Sequence, residues 1–288
     1  MASYLQDTIR CKGAKICSPF VREMGGKRVV GYVSSATGEV FACTEGKHVL
    51  LTHTGGEPMG AAFDSHGKLH LADCAHVAIL RTDLAVHNQQ PGIVVKEYEE
   101  KPFKGPSSID VATSGVLYFT DSGPFGETTL AEPRGSVFCI APSPSGGQVL
   151  KPLALECLAH PCGIAASPHA ASCIYVTEMM SNRLLRFVQR PAGVYHCSVF
   201  YQFAGGIGPS CVACDATGRV YIGSYDFAGS SDPNGKIYIL SAAGILEHVL
   251  EVPGPEITGI CVESSHTLIV TEASTNSLHC ITLDAIFR

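Results

Sequence analysis

Four acidic residues, Asp73, Asp121, Glu178 and Glu272, each end a short apolar run: "LHLAD", "LYFTD", "CIYVTE" and "TLIVTE". Ser224 takes the same place in "VYIGS". Carboxylates gathered around one opening would hold a cation or a basic partner. The preferred reading of an acid at a strand end is structural, accepting hydrogen bonds from loop amides. Ser107 and Ser210 are candidate nucleophiles, but no nucleophile-elbow pattern surrounds either, and with twelve histidines some Ser–His proximity arises by chance. The Cys211-Val-Ala-Cys214 spacing does not gather two thiols, because positions i and i+3 of a strand face opposite sides.

The runs that end on these acids belong to a repeat. "EPMGAAFDSHGKLHLADC" (57–74), "GPSSIDVATSGVLYFTDS" (105–122), "HPCGIAASPHAASCIYVTEM" (160–179), "GPSCVACDATGRVYIGSY" (208–225) and "EITGICVESSHTLIVTEA" (256–273) follow one plan. A short lead-in, a strand of small apolar residues, a turn and an apolar-aromatic strand follow in order. The markers Pro58, Pro106, Pro161, Pro209 and Ile257 lie 48, 55, 48 and 48 residues apart. That period with strands throughout reads as a four-stranded propeller blade.

A fainter unit precedes Pro58, from Ile16 onward, which makes six blades. The residues after Ile257 suffice for only three strands, ending near Thr282–Leu283, so the segment Asp7–Cys11 is expected to supply the fourth and close the ring. The expected fold is all-β, a six-bladed β-propeller closed by an N-terminal strand, with residues 1–288 forming one domain. In each blade the first strand starts and the second ends on the same face of the disc, so the four acids are expected around one opening. Residues 122–135 and 224–235 are rich in Gly and Pro and longer than a hairpin needs, as recognition loops on a rigid scaffold are.

With 45% hydrophobic and 16% charged residues, the composition describes a packed chain rather than a disordered one. A net charge of −6 with no basic run argues against nucleic acid as a partner. The N-terminus carries no apolar signal-peptide core and no run reaches 18 apolar residues, so no membrane span is expected and the protein is read as soluble and cytoplasmic or otherwise intracellular. Many of the thirteen cysteines lie in apolar runs such as Phe138–Cys139–Ile140, where a reduced thiol packs as a small hydrophobe.

At two of these repeats the sequence resembles the SMP-30/gluconolactonase/luciferin-regenerating-enzyme family and its strictosidine-synthase-like branch. Gly115–Gly126 resembles the gluconolactonase blade whose second strand runs into a Gly-Pro-rich loop, and Ile174–Phe187 followed by Pro191–Ala192–Gly193 resembles the strictosidine-synthase-like blade. Active members hold one divalent cation at the channel mouth, and the cation polarises a lactone or phosphoester. The resemblance places the cation's ligands at Cys17, Ser107, Cys162 and Ser210, none of them a carboxylate or amide. Ca²⁺ and Mg²⁺ favour carboxylate, amide and carbonyl oxygens, so the site is expected to be lost and no cofactor is expected.

The same carry-over brings Cys17 and Cys162 to one mouth. With His160 and His169 nearby in sequence they suggest zinc, but two thiols with two hydroxyls make a weak site and packing is the preferred reading. The binding surface at the mouth is expected to include Cys17, Asp73, Asp121, Phe125, Glu178 and Glu272. The function expected is a non-catalytic binding or scaffold module that captures a protein partner through its two long loops. The alternative is a lactone or ester hydrolase that uses Ser107, Cys162 or Ser210 in a remodelled mouth.

Overall fold

The computed structural model describes residues 3–86, 89–143, 146–264 and 266–287; residues 1, 2, 87, 88, 144, 145, 265 and 288 of the expected 1–288 span lie outside it. Six four-stranded antiparallel sheets follow one another along the chain. Blade one comprises Ile16–Met24, Lys27–Ser34, Glu39–Thr44 and Lys47–His53, and blade two Pro58–Phe63, Leu69–Asp73, Ala78–Thr82 and Gly92–Val95. Blade three runs through Pro106–Val111, Leu117–Asp121, Gly135–Pro142 and Gln148–Leu158; blade four through Pro161–Ala166, Cys173–Glu178, Arg183–Gln189 and Tyr195–Gln202. Gly208–Cys214, Val220–Tyr225, Asn234–Leu240 and Leu246–Pro253 form blade five. Blade six takes Ile257–Ser264, Thr267–Glu272 and Ser277–Thr282 from the end of the chain and Leu5–Arg10 from its beginning.

The first strand of each blade is innermost, and these six strands neighbour one another in cyclic order, with Ile257–Ser264 against Ile16–Met24 completing the circle. Second strands read as near-continuous apolar runs because both of their faces are covered by neighbouring blades. The core therefore lies between blades. Val33, Val40 and Phe20 of blade one, for example, pack on Ala61, Leu69 and Leu71 of blade two. Outer strands carry exposed apolar residues such as Val49 and Ile93. One feature the repeat did not reveal is a small hairpin, Glu97–Tyr98 with Lys101–Pro102, between blades two and three; its Tyr98 packs on Phe138. Among the described residues no helix is long and apolar enough to cross a membrane.

Ring closure follows the expected route, two residues earlier than the sequence suggested. Thr8, Ile9 and Arg10 pair with His279, Leu278 and Ser277. Ile9 packs against the core shared by blades one and six. The latch reaches further, since the Tyr4 hydroxyl donates to the Glu251 carbonyl and accepts from the Glu251 amide on the outer strand of blade five, both at 2.9 Å. Deleting residues 1–12 is expected to expose the Ser277–Thr282 edge and to lower the melting temperature by at least roughly 5 °C, at about 2–4 °C per kcal/mol for a chain of this size. A truncated protein that melts with the full-length chain would show that this strand does not close the ring.

Candidate functional site

The inner strands hold a bulge one residue after each marker. In blade three Pro106 pairs with Asp121 and Ser108 with Thr120, which leaves Ser107 as the extra residue. The same shift singles out Met59, Cys162, Ser210 and Thr258 in blades two, four, five and six. Blade one is bulged between Cys17 and Phe20, with Ser18 in the left-handed region at φ +46°. A bulge re-aims its side chain, and all six residues, Cys17 included, line a central cavity of about 770 Å³.

Most of these side chains donate to the start of the next inner strand. Thr258 Oγ1 donates to the Ile16 carbonyl at 2.6 Å and Ser210 Oγ to the Ile257 carbonyl at 2.5 Å. Cys162 Sγ reaches the Pro209 carbonyl at 3.5 Å, Ser107 Oγ the Pro161 carbonyl, weakly, at 3.5 Å, and Cys17 Sγ the Met59 carbonyl at 3.2 Å. A belt of donors thus runs from blade to blade, and Met59, with no proton to give, is its gap. Three further side chains serve the inner edge: Ala61 N donates to Ser18 Oγ at 2.8 Å, Ile164 N to Ser108 Oγ at 3.2 Å and Ala166 N to Asp110 Oδ2 at 2.7 Å.

This donor set has no carboxylate or amide, and its hydroxyl and thiol protons are committed to carbonyls, so it does not match what a hard cation requires. Among the described residues no group of three or more His, Cys, Asp and Glu is arranged to hold a metal ion. His169 does not reach the channel; its Nδ1 lies 3.3 Å from the Ala216 carbonyl on an exposed turn. Cys211 packs between blades five and six and Cys214 between blades four and five, so the Cys-x-x-Cys pair is divided between two cores. Burial pushes the Cys17 and Cys162 thiols up to about 12, far from thiolate reactivity. Ser107 exchanges hydrogen bonds with Thr120 and Ser122, and neither it nor Ser210 is bonded to an imidazole or carboxylate.

The structure does not bring the four strand-end acids to the channel surface with Cys17 and Phe125. Each is buried and accepts bonds from backbone amides. Asp73 takes Glu57 N and His76 N; Asp121 takes Lys104 N and Gly105 N; Glu178 takes Ala159 N; Glu272 takes Glu256 N, Ser274 N and Thr275 N. Burial raises the Asp121 carboxyl even though the two amides at 2.8–3.0 Å favour its charge. The acids thus work from beneath, fixing the lead-in residues that precede the markers.

Those lead-in residues form the rim. Lys15, Glu57, His160 and Glu256 line the cavity from blades one, two, four and six. Blades three and five have Gly105 and Gly208 there, at φ +145° and +143°, a conformation side-chain-bearing residues avoid. Over those two blades stand the long loops, and they meet. The Phe125 and Phe227 rings make an edge-to-face contact at 5.7 Å; Phe125 also packs on His160 at 5.4 Å and Phe227 on Tyr225 at 5.5 Å. Thr128 anchors the first loop, donating to the Ser122 carbonyl and accepting from His160 N. Ala228 N, on the second loop, donates to Glu256 Oε1. The sequence reading found Phe125 and both loops but missed Glu57, Glu256, Phe227, Met59 and Thr258. The position before each marker was the signal available for the first two.

Six blades around a channel lined by bulged inner strands define a β-propeller of the gluconolactonase type. The chain belongs to the SMP-30/Gluconolactonase/LRE-like family, whose pattern matches residues 25–274. Protein STRICTOSIDINE SYNTHASE-LIKE 4 of Arabidopsis thaliana is 28% identical over 177 residues, 59% of this chain and 45% of that protein. The chain thus spans less than half the length of that relative. A gluconolactonase from Xanthomonas campestris superposes with a TM-score of 0.76 over 98% of this chain and 91% of its own, at 21% identity. Regucalcin from Agrobacterium tumefaciens, a calcium-binding protein, does so at 0.74 over 96% and 93%, at 17% identity.

Two outcomes follow from this geometry. Thr258→Val keeps the shape but removes a belt donor, and is expected to cost about 1–2 kcal/mol in denaturant unfolding while Thr258→Ser costs less. Equal losses in the two variants would show that the hydroxyl does not matter. His160 is 6% exposed with Nδ1 unpaired, and burial pulls its imidazole from 6.5 down to about 4. Between those pH values the unfolded chain binds the proton and the native state does not, so this contribution to stability is present above pH 6.5 and is lost as pH falls toward 4. Asn tolerates the φ of +57° at this position. The fall in melting temperature from pH 6.5 to 4.5 is therefore expected to be smaller in His160→Asn than in wild type, and identical falls would mean that the histidine is protonated in the fold.

Proposed function

We propose that this chain is a non-catalytic binding module of its family, one propeller domain that has given up the hard-cation site and captures a protein partner with the loops over its channel mouth. The observation that carries the reading is the donor belt. At the positions where the resemblance places cation ligands, the side chains are neutral: Cys17, Cys162 and Ser210 direct their protons to the neighbouring blade, and Ser107 lies closer to Thr120 of its own blade, at 2.9 Å, than to Pro161. The same mouth presents Phe125 at 52% exposure and Phe227 at 47%, on loops braced by Thr128 and Glu256. Exposed aromatics on rigid supports are common anchors of protein interfaces. The thirteen free thiols suit a reducing compartment, which supports an intracellular location.

The hydrolase alternative lacks an activated nucleophile in this geometry. Cys162 is buried as a thiol that donates to Pro209, and the single Ser210 proton goes to the Ile257 carbonyl at 2.5 Å with the Gly223 carbonyl at 3.1 Å beside it. The gluconolactonase and regucalcin similarities support the fold alone, at 21% and 17% identity.

Millimolar Ca²⁺, Mg²⁺ or Zn²⁺ is expected to leave the melting temperature unchanged, whereas a site filled at a hundredfold over its Kd would add about 2.7 kcal/mol. A lactone and ester panel is expected to show no saturable turnover. Replacing residues 124–133 with a short Gly-Ser turn is expected to abolish partner capture while keeping the fold, at a cost of about 1–3 kcal/mol for the lost Thr128 bonds to Ser122 and His160. A rise in melting temperature reversed by chelator, or turnover that disappears in Ser107→Ala or Cys162→Ala, would overturn the proposal.

A further inference from the structure

The rim described above is short of partners in one chemical sense. Glu57 is half-buried at the cavity wall, and its carboxylate has no hydrogen bond or ion pair among the described residues, while its amide is fixed by Asp73. Glu256, on the blade at the other side of Lys15, spends one oxygen on Ala228 N. His160 carries a buried, unpaired Nδ1 directly against Phe125, and because burial holds the ring neutral it adds no repelling charge. Lys15, exposed on blade one, is the one cation among these rim residues, so the two carboxylates leave the rim net negative. Deeper in the channel Arg22 lies over the Phe63 ring at 4.2 Å, while Asp110 accepts from Ala166 N.

The geometry points to an arginine side chain of the protein partner as the occupant of this mouth, its guanidinium against the Phe125–Phe227 pair and its N–H groups directed to Glu57. This rests on the binding-module reading and names the chemistry of the partner. A guanidinium is planar, carries donors only, and stacks on aromatic faces, whereas the compact ammonium of lysine stays more strongly hydrated. A mouth with aromatic walls, an open carboxylate and net negative charge suits the first better. An acidic or purely aliphatic side chain would leave Glu57 repelled or desolvated without a partner.

The test is calorimetric titration of the full chain with the blocked peptide acetyl-Gly-Gly-Arg-Gly-Gly-amide, its lysine and citrulline counterparts, and agmatine. Citrulline keeps the planar shape without the charge. Saturable binding of the arginine peptide is expected, about tenfold tighter than the citrulline peptide and tighter than lysine. Glu57→Gln and Phe227→Ala are each expected to weaken it about fivefold or more, with Phe125→Ala as the second aromatic variant and circular dichroism confirming each fold. Equal binding of arginine and citrulline peptides, no saturable binding of the arginine peptide, or unchanged affinity in Glu57→Gln would overturn the assignment. Agmatine binding as tightly as the peptide would also overturn it, in favour of a small guanidinium ligand. The failure is separable from that of the binding-module reading, because loss of partner capture on replacing residues 124–133 can persist when no arginine peptide binds.

Discussion

Each propeller blade has an innermost strand that is hydrogen-bonded on one side only, and six such edges converge on one narrow channel. Buried amides and carbonyls without partners are costly, at about 1–3 kcal/mol apiece, so wall groups that water does not reach need side-chain partners. The resemblance places the ligands of a cation at Cys17, Ser107, Cys162 and Ser210. Cys17, Ser107, Cys162 and Ser210 turn those positions into links between blades, Thr258 adds another, and Ser18, Ser108 and Asp110 take up amides from the neighbouring edge. The rigidity of the mouth comes from this belt, from the inter-blade cores and from the closing strand.

The geometry of the mouth is built outward from the buried acids. Asp73, Asp121, Glu178 and Glu272 are removed from solvent to hold loop amides, which fixes the rim residues in space. Fixed rim residues in turn brace the loops, through His160 N on Thr128 and Glu256 on Ala228. The outcome is a pair of aromatic rings, drawn from blades three and five, held over a mouth whose open carboxylate comes from blade two. A mouth ordered in this way is pre-organised before anything enters it.

The sequence by itself determined the architecture and its punctuation. A 48-residue repeat of alternating strands leaves few folds other than a propeller, and a last unit one strand short requires another segment to complete it. Loop length over blades three and five was equally legible, because a stretch rich in Gly and Pro cannot continue a ladder. The identity of the bulge positions in blades three, four and five was readable once the family resemblance aligned Ser107, Cys162 and Ser210. Tertiary structure alone decided the rest. Whether an acid at a strand end faces the channel or turns under its own loop depends on where the amides of a preceding segment arrive, and nothing local to Asp121 or Glu272 states that. Phe125 and Phe227 are about a hundred residues apart and meet across blade four only because the ring's curvature brings alternate blades together at its axis. Met59 and Thr258 occupy the same bulge as Ser107, but a bulge is a mismatch between two strands and becomes visible only once both partners are paired.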